Sequence, residues 1–252
     1  MASKIILITG MCSQTVGANS GVGFSTAKVV SQASSEYHVI LAGRSPEKIE
    51  KARSELGAAN PKGSLSTVHL DVLDNDSIKK AAASVEQQFG RLDVLINNAG
   101  VASSDTDVEK NFRLVLETNV TGPALVSDAF RPLLQKSGNA YSIYVTSGLG
   151  SLARQSEYNI PPVWTSYCAS KAALNMVMLN EMKFHGSPTF KCFCVCPGLV
   201  VSNLRGTGEL ERSAWGRAAD PDVSGQTLLA IVEGKRDGDV GKVLHKDGVY
   251  PW

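Results

Sequence analysis

The chain lacks a long hydrophobic run and an excess of charge of either sign. No segment approaches the ~18 consecutive apolar residues of a membrane-spanning helix, and the run Ile5–Ile8 is too short for the core of a signal peptide. The 252 residues include 25 basic and 24 acidic side chains, a formal net charge of +1. Nucleic-acid and membrane-surface proteins usually carry a basic face, so the sequence predicts neither kind of partner. By elimination it predicts a cytoplasmic protein.

The sequence also lacks a recognisable metal-binding motif. There are five cysteines and four histidines, but the histidines are scattered and no second ligand cluster accompanies Cys192, Cys194 and Cys196. These three cysteines occupy alternate positions, so they project from one face of a predicted strand. We interpret them as small buried hydrophobic residues in a reducing compartment, and no metal is predicted.

Apolar runs and helical patterns alternate along the whole chain, in which 43% of the residues are hydrophobic. Apolar strands separated by helices predict a parallel sheet covered on both faces. The predicted fold is therefore α/β: a doubly wound Rossmann fold of about seven strands, with residues 1–252 forming one domain. The predicted strands are Lys4–Thr9, His38–Ala42, Ser64–Leu70, Leu92–Ile96, Ala140–Thr146, Phe190–Cys196 and Lys242–His245. The predicted helices are Val22–Ala33, Pro46–Leu56, Asp76–Phe89, Val108–Gln135, Ser166–His185 and Pro221–Val232.

Several predicted helix ends have a local signal. Ser45 precedes a proline and is expected to cap the second helix, and Asp74 or Asn75 is expected to cap the third. Gly57 and Gly90 follow helical runs, where a left-handed residue commonly ends a helix.

The most informative stretch places Tyr167 and Lys171 four residues apart at the start of an apolar helix. Residues i and i+4 are neighbours on one helix face, and a lysine cation beside a tyrosine favours the phenolate. The pair is suited to passing a proton to or from a bound oxygen. Read alone, it is better explained as a surface pair.

Three further elements precede this pair in the sequence. Gly17, Gly21 and Gly23 form a G-x-x-x-G-x-G turn between the first strand and the first helix, which lets the backbone approach a pyrophosphate. Asn119 lies inside a helical pattern and Ser147 follows an apolar run. Read alone, Asn119 is a polar group at a helix kink and Ser147 is a strand-end cap.

In this order the residues resemble the short-chain dehydrogenase/reductase family, in its single-domain form of roughly 250 residues, and are nearest to fungal-type carbonyl reductases. The likeness extends over nearly the whole chain. The matching motifs are the glycine turn, Asp71, Asn97-Asn98-Ala99-Gly100, Asn119, Ser147, Tyr167, Lys171, Pro197-Gly198 and the ending 241–248.

The resemblance implies a role for each catalytic candidate. Tyr167 would donate a proton to a carbonyl oxygen as hydride arrives from a nicotinamide, and Ser147 would hydrogen-bond that oxygen. Lys171 would bind the nicotinamide ribose and favour the tyrosinate. Asn119 would hold a water that continues the proton path. Such acid–base work typically contributes ~10²–10⁴-fold to the rate.

The resemblance also implies a set of cofactor-binding residues, in which Ser202 would contact the nicotinamide amide. The set is Gly17, Asn19, Ser20, Gly21, Val22, Gly23, Arg44, Ser45, Asp71, Val72, Asn98, Ala99, Gly100, Tyr167, Lys171, Pro197, Gly198, Val200 and Ser202.

The end of the second strand bears on the choice of cofactor. An acidic residue there would bind both ribose hydroxyls and repel a 2′-phosphate, but the chain has Gly43, Arg44 and Ser45. Arginine binds phosphate through its fork of donors, so the sequence favours NADP (NADPH) over NAD. In the alternative interpretation, Arg44 lies on the solvent side near Glu47.

Two departures from the family pattern affect the site. The segment Gly10–Val16 interrupts the glycine motif, and we expect it to bulge outward as a loop. The step from Ser147 to Tyr167 is longer than usual in the family and includes the stiff segment Pro161–Trp164. Apolar residues in loops near the site suggest a bulky apolar carbonyl substrate: Leu149, Leu152, Ile160, Trp164 and Trp215.

The predicted function is interconversion of a ketone or aldehyde with an alcohol by an NADP-dependent oxidoreductase. The alternative is a redox-neutral biosynthetic enzyme or a nucleotide-sensing module on the same fold, and only the Gly10–Val16 insertion favours it. A small apolar carbonyl or alcohol is the expected substrate. The apolar helix after Tyr167 predicts a homodimer or homotetramer, unless the loop 148–163 covers that helix within one chain.

Overall fold

A computed structural model describes residues 3–11, 21–157 and 164–252. Within these residues eight strands form one sheet in the order β3-β2-β1-β4-β5-β6-β7-β8. Strands β1 to β7 are parallel, and β8 pairs antiparallel with β7. The strands are β1 Lys4–Ile8, β2 Tyr37–Gly43, β3 Ser64–His69, β4 Val94–Asn97, β5 Ala140–Val145, β6 Phe190–Val195, β7 Val243–His245 and β8 Gly248–Tyr250.

Helices connect these strands. They are α1 Val22–Ala33, α2 Pro46–Ala58, α3 Asn75–Phe89, α4 Val108–Leu116, α5 Gly122–Gln135, α6 Leu152–Gln155, α7 Thr165–His185, α8 Glu209–Arg212 and α9 Asp222–Val232. A π-helical turn, Glu117–Thr121, joins α4 to α5, and 3-10 turns occur at Gly148–Gly150, Asn203–Arg205 and Asp237–Asp239.

A separate hydrophobic core covers each face of the sheet. Alternate residues of β1 enter different cores: Leu7 packs in one with Phe130 and Leu174, whereas Ile8 packs in the other with Ile143. Both faces of a strand are therefore apolar, as the sequence predicts for a parallel sheet. The doubly wound α/β fold is confirmed.

The chain reverses its direction of winding between β1 and β4, which are neighbours in the sheet. In open α/β sheets, ligands bind beyond the carboxyl ends of the strands at this switch point. The residues that follow β1, β4, β5 and β6 are therefore brought to one crevice.

Two features of the fold differ from the sequence prediction. The eighth strand was not predicted, because three residues that include Gly248 give no detectable strand pattern. The predicted helix Val108–Gln135 is interrupted by the π-helical turn, which ends just before Gly122 and Pro123.

The helix caps are mostly those predicted. The Ser45 hydroxyl accepts a hydrogen bond from Lys48 N, and Asp74 accepts from the second and third residues of α3. Gly90 ends α3 with φ 72°. The prediction for Gly57 was wrong: α2 continues through it to Ala58, and the left-handed residue is Asn60, at φ 54°.

Candidate active site

A cavity of about 480 Å³ lies at the switch point of the sheet. Gly10 and Met11 after β1, Gly100 after β4 and Ser147 after β5 line it, as do residues that follow β6. At one end the wall includes Arg44, which directly follows β2. The cavity thus runs from the end of β2, across the switch point, to the start of α7.

Tyr167 and Lys171 lie one helical turn apart in the first half of α7, and both line this cavity. Their exposed fractions are 6% and 4%. The Lys171 Nζ atom is 5.6 Å from the centre of the Tyr167 ring and donates a hydrogen bond of 2.8 Å to the backbone oxygen of Val145. Helical spacing and burial bring the ammonium and the phenol together at one wall of the site.

Burial shifts both of these groups toward their neutral forms. It lowers the pKa of Lys171 to about 8, because the ammonium loses its hydration. It raises the pKa of Tyr167 above its usual value, and the hydrogen bond from Ser147 opposes this rise. Without a bound ligand, Tyr167 therefore carries its proton at neutral pH.

Ser147 directly follows β5 and has two contacts. Its hydroxyl accepts a hydrogen bond of 3.2 Å from Leu149 N, which caps the short turn Gly148–Gly150. The same hydroxyl also lowers the pKa of the Tyr167 phenol, against the larger effect of burial. The strand-end cap and the contact with the tyrosine are thus both present.

Asn119 is fully buried in the π-helical turn. Its Oδ1 atom accepts from Val101 N at 2.8 Å, and its Nδ2 atom donates to Val101 O at 2.8 Å and to the Ser170 hydroxyl at 3.0 Å. The amide therefore fixes the chain after β4 to α7. π-Helical turns are frequent at functional sites.

Gly100 lies close to the side chains of both Asn119 and Lys171. A side-chain carbon added at Gly100 would lie 3.3 Å from Asn119 Oδ1 and 3.4 Å from Lys171 Nζ. Of the two, only Lys171 lines the cavity. Glycine at this position keeps the two polar groups close to a common point.

The described part of the glycine turn packs closely on the segment after β4. Gly10 has φ 74°, and a side-chain carbon there would come within 2.5 Å of Ala99. A side-chain carbon at Gly23 would come within 2.6 Å of Asn98 Nδ2. Larger residues would force these two segments apart and displace the start of α1.

Most of the sequence-predicted cofactor residues line the cavity. Gly17, Asn19 and Ser20 lie outside the described residues. Ser45 does not line the cavity, since its hydroxyl caps α2. The residues that do line it are Gly21, Val22, Gly23, Arg44, Asp71, Val72, Asn98, Ala99, Gly100, Tyr167, Lys171, Pro197, Gly198, Val200 and Ser202.

The extra segment Gly10–Val16 begins inside the fold. The Met11 side chain is buried in the core, and its backbone N–H donates to Ala42 O at 3.2 Å. The expected outward bulge is therefore wrong for Gly10 and Met11, because Gly10 packs on Ala99 and Met11 is buried in the core. Residues 12–16 lie outside the described ranges.

The expected apolar lining of the site is mostly not found. Trp164 lines the cavity and meets the Tyr167 ring edge-on, with ring centres 5.9 Å apart. Leu152 and Trp215 instead face solvent, 72% and 63% exposed, and Leu149 is not part of the wall. Ile160 lies outside the described residues, as does most of the stiff segment before Trp164.

Sequence reasoning missed several residues of the wall. Met11, Val101 and Ser103 line the cavity, and so does Arg205 on the loop between β6 and α9. Each follows a predicted strand by several residues. Loop length alone does not tell which of these side chains points inward.

The predicted burial of the cysteine row is confirmed. Cys192, Cys194 and Cys196 are buried in the strand β6 or directly after it, and burial raises the pKa of each thiol. Cys196 Sγ accepts a hydrogen bond of 3.0 Å from Gly148 N. Among the described residues, no three potential metal ligands form a cluster.

Comparison with known proteins identifies the class to which this fold and crevice belong. The sequence profile of the short chain dehydrogenase family matches residues 4–212. The chain is 33% identical to the short-chain dehydrogenase/reductase tropE of Talaromyces stipitatus, over 97% of this chain and 96% of that protein. It is 32% identical to the short-chain dehydrogenase/reductase eupG of a Phoma species, over 94% of this chain and 95% of that protein.

A solved structure agrees with this result. The NADPH-bound carbonyl reductase from chicken fatty liver matches with a TM-score of 0.81 and 29% identity, over the full length of both chains. The chain therefore belongs to the short-chain dehydrogenase/reductase family and is an oxidoreductase. Within the described ranges, none of the helices has the length and apolar character needed to span a bilayer.

Proposed function

We propose that this protein reduces a small ketone or aldehyde to an alcohol with NADPH as cofactor, and catalyses the reverse reaction with NADP. The observation that carries the proposal is the meeting of Ser147, Tyr167 and Lys171 at one wall of a cavity that extends to Arg44. The cytoplasm is the proposed location, in keeping with buried free thiols such as Cys192 and Cys194.

The residues present fit a dinucleotide. Helix α1 begins at the cavity with Gly21 as its N-cap; no described side chain caps it, and its first turn holds no acidic residue. A helix N-terminus of this kind is a ready site for a phosphate. Asp71, after β3, and Asn98, after β4, both line the crevice and would flank the adenosine.

Arg44 supports the preference for NADPH. It is exposed, directly follows β2 and lines the cavity, and no acidic residue occupies its position. Its guanidinium can bind the 2′-phosphate with two parallel hydrogen bonds. Ser45 does not line the cavity, and its hydroxyl is engaged as the cap of α2.

The bound nicotinamide supplies the hydride. The chain's own residues orient the carbonyl and move the proton. Ser147 hydrogen-bonds the substrate oxygen and fixes the phenol of Tyr167, which donates its proton to that oxygen. Because burial keeps Tyr167 protonated, the proton is available when negative charge develops on the oxygen.

Lys171 favours the tyrosinate that remains after proton transfer. Its ammonium is held beside the ring by the Val145 carbonyl, and it would also bind the hydroxyls of the nicotinamide ribose. A water molecule beside Lys171 would return the proton from solvent, while the Asn119 amide holds the chain after β4 against α7. Asn119 thus acts by positioning.

The experiment is to incubate the purified protein with NADPH and a panel of ketones and aldehydes, and to follow loss of NADPH with identification of the alcohol. We expect turnover of at least one carbonyl compound, and loss of turnover in Ser147→Ala. Tight NADPH binding with no turnover across the panel would contradict the proposal and favour a redox-neutral or nucleotide-sensing protein.

A further inference from the structure

Arg205 provides a cation on the substrate side of the cavity that the proposed chemistry does not use. It ends the 3-10 turn Asn203–Arg205 and lines the same cavity as Ser147, Tyr167 and Trp164. Three basic residues line the described part of the cavity. Lys171 and Arg44 serve the cofactor in the proposed function, so only Arg205 has no assigned partner.

Neutral groups hold the guanidinium in place. Its Nε atom donates to the backbone oxygen of Glu211 at 3.1 Å, and its Nη2 atom donates to the backbone oxygens of Val200 and Arg212, both at 2.7 Å. Three of its five N–H groups are thus used to fix one orientation. Within the described residues, no hydrogen-bond acceptor is assigned to Nη1.

No carboxylate of the described chain neutralises Arg205. Glu211 is close in sequence, but its carboxylate accepts a hydrogen bond from Gly208 N at 3.2 Å instead. Among the described residues that line the cavity, Asp71 is the only acidic one, and it follows β3 at the cofactor end. Because Arg205 is partly desolvated and always charged, an anion in the cavity would compensate its charge.

The positive charge of Arg205 affects the pKa of Tyr167, the proposed proton donor. Burial is the main cause of the raised pKa of Tyr167, and the Arg205 guanidinium is one of the groups that oppose it. The cation therefore lies within electrostatic reach of the phenol that hydrogen-bonds the carbonyl oxygen. A substrate bound to Tyr167 and Ser147 would share the cavity with Arg205.

We infer that Arg205 forms an anion subsite next to Tyr167, so that the preferred substrate carries an anionic oxygen substituent, a carboxylate or an ionised hydroxyl, close to its reducible carbonyl. Only the two N–H groups of Nη1 remain to donate to such an oxygen, since those of Nε and Nη2 bind backbone oxygens. Trp164 and Leu204 supply an apolar wall for the carbon skeleton. This inference rests on the proposed carbonyl reduction.

The test compares a neutral ketone with ketones that carry one acidic ring substituent. Acetophenone, its three ring-carboxylated isomers and its ring-hydroxylated isomers are reduced with saturating NADPH by the wild type, Arg205→Gln and Arg205→Lys. Arg217→Gln is the matched control, since Arg217 is on the same loop, is exposed and does not line the cavity. Thermal unfolding of each variant shows whether the loop still folds.

We expect the wild type to prefer at least one carboxylated or hydroxylated isomer to acetophenone by tenfold or more in kcat/KM. Arg205→Gln should lose this preference, mainly through a rise in KM of ~10- to 100-fold, while acetophenone changes little. Arg205→Lys should retain part of the preference, and Arg217→Gln should stay within about twofold of the wild type. If a carboxylated isomer loses its advantage in Arg205→Gln, the subsite binds a carboxylate. If a hydroxylated isomer loses it, the subsite binds an ionised hydroxyl.

Two results would overturn the inference. An equal loss for charged and neutral ketones would mean that Arg205 only tethers its loop. A weaker affinity for NADPH, with the ketone preference unchanged, would mean that it serves the cofactor.

A calorimetric titration separates this inference from the proposed function. Benzoate should bind the NADPH-loaded wild type more tightly than benzamide does, and Arg205→Gln should abolish the difference. If benzoate binds in this way and no ketone is reduced, the subsite stands and the proposed reduction fails. If acetophenone is reduced and benzoate has no advantage, the reduction stands and the subsite fails.

Discussion

The ammonium of Lys171 lies 5.6 Å from the centre of the Tyr167 ring and is anchored by a 2.8 Å hydrogen bond to the carbonyl oxygen of Val145. The pair is almost completely buried, and the two charged forms, ammonium and tyrosinate, are each unfavourable there alone. Once Tyr167 gives up its proton, each charge compensates the other. This mutual dependence makes the site suited to proton transfer.

The buried lysine predicts a pH-dependent stability for the apo protein. Folding lowers the pKa of Lys171 from 10.5 to about 8, so between these values the unfolded chain holds a proton that the folded chain has released. Stability attributable to Lys171 therefore rises with pH from about 8 to 10.5, by ~3 kcal/mol at most. Denaturant unfolding of the wild type and Lys171→Met measures it. We expect the free energy of unfolding of the wild type to rise relative to that of Lys171→Met as the pH increases from about 8 to 10.5. A difference that stays constant or falls over this range would contradict the prediction.

Arg44→Asp should weaken NADPH binding more than NADH binding. An aspartate at the end of β2 repels the 2′-phosphate and can accept hydrogen bonds from the two ribose hydroxyls of NADH. We expect the ratio of the two dissociation constants to change by at least tenfold, measured by titration of the apo protein. Lys51→Asp places the same change of charge on the exposed face of α2 and should leave the ratio unchanged. Equal losses in Arg44→Asp would show that Arg44 does not bind the phosphate.

Deletion of Gly10–Val16 should improve cofactor binding and lower stability. The shortened chain reads Thr-Gly-Ala-Asn-Ser-Gly-Val-Gly, in which Gly17 takes the place of Gly10 and Ala18 that of Met11. NADPH should bind more tightly and turnover should rise. Misplacement of the phosphate turn by ~1 Å can lower the reaction rate ~10²-fold. The melting temperature of the apo protein should fall, since loss of a buried methionine costs about 2 kcal/mol or more, against ~1 kcal/mol gained from the shorter loop.

Met11→Ala is the control for this deletion. It should reproduce the loss of stability without the gain in NADPH affinity. A deletion variant that no longer binds NADPH would show that the extra segment belongs to the site.

The outer helices predict a homodimer or homotetramer. Met176 on α7 is 56% exposed, and Leu125 on α5 is more than a third exposed. A second copy packed on these helices would cover them. Light scattering at micromolar concentration should show an oligomer, and Met176→Glu should weaken it, whereas Leu210→Glu on α8 should not. A monomeric wild type would refute the prediction.

The sequence predicted the fold well because its signals are local. Apolar runs locate the parallel strands, and Ser45, Asp74 and Gly90 act within one turn of their own helices. Contacts between distant segments were not predictable in this way. The π-helical turn is tied to the hydrogen bonds of Asn119 with Val101, and the burial of Met11 depends on the neighbouring β2.

The candidate site shows the same contrast between residues placed by local signals and residues placed by contacts with distant segments. Ser147, Tyr167 and Lys171 are fixed by a strand end and a helix face, so their spacing in the sequence carries their geometry. The substrate side is built from loops, where apolar character suggested Leu152 and Trp215, but the structure turns these outward and points Arg205 inward. Whether a loop side chain faces the cavity depends on backbone contacts such as those of Arg205 with Val200 and Arg212.

The most direct measurement of the central claim is the turnover and NADPH affinity of Tyr167→Phe. The substitution removes only the hydroxyl that donates the proton, so the packing against Trp164 and Lys171 is kept. We expect the rate of ketone reduction to fall by ~10²-fold or more, with the dissociation constant of NADPH nearly unchanged. Activity within tenfold of the wild type would contradict the assignment of Tyr167 as the proton donor and, with it, the proposed mechanism.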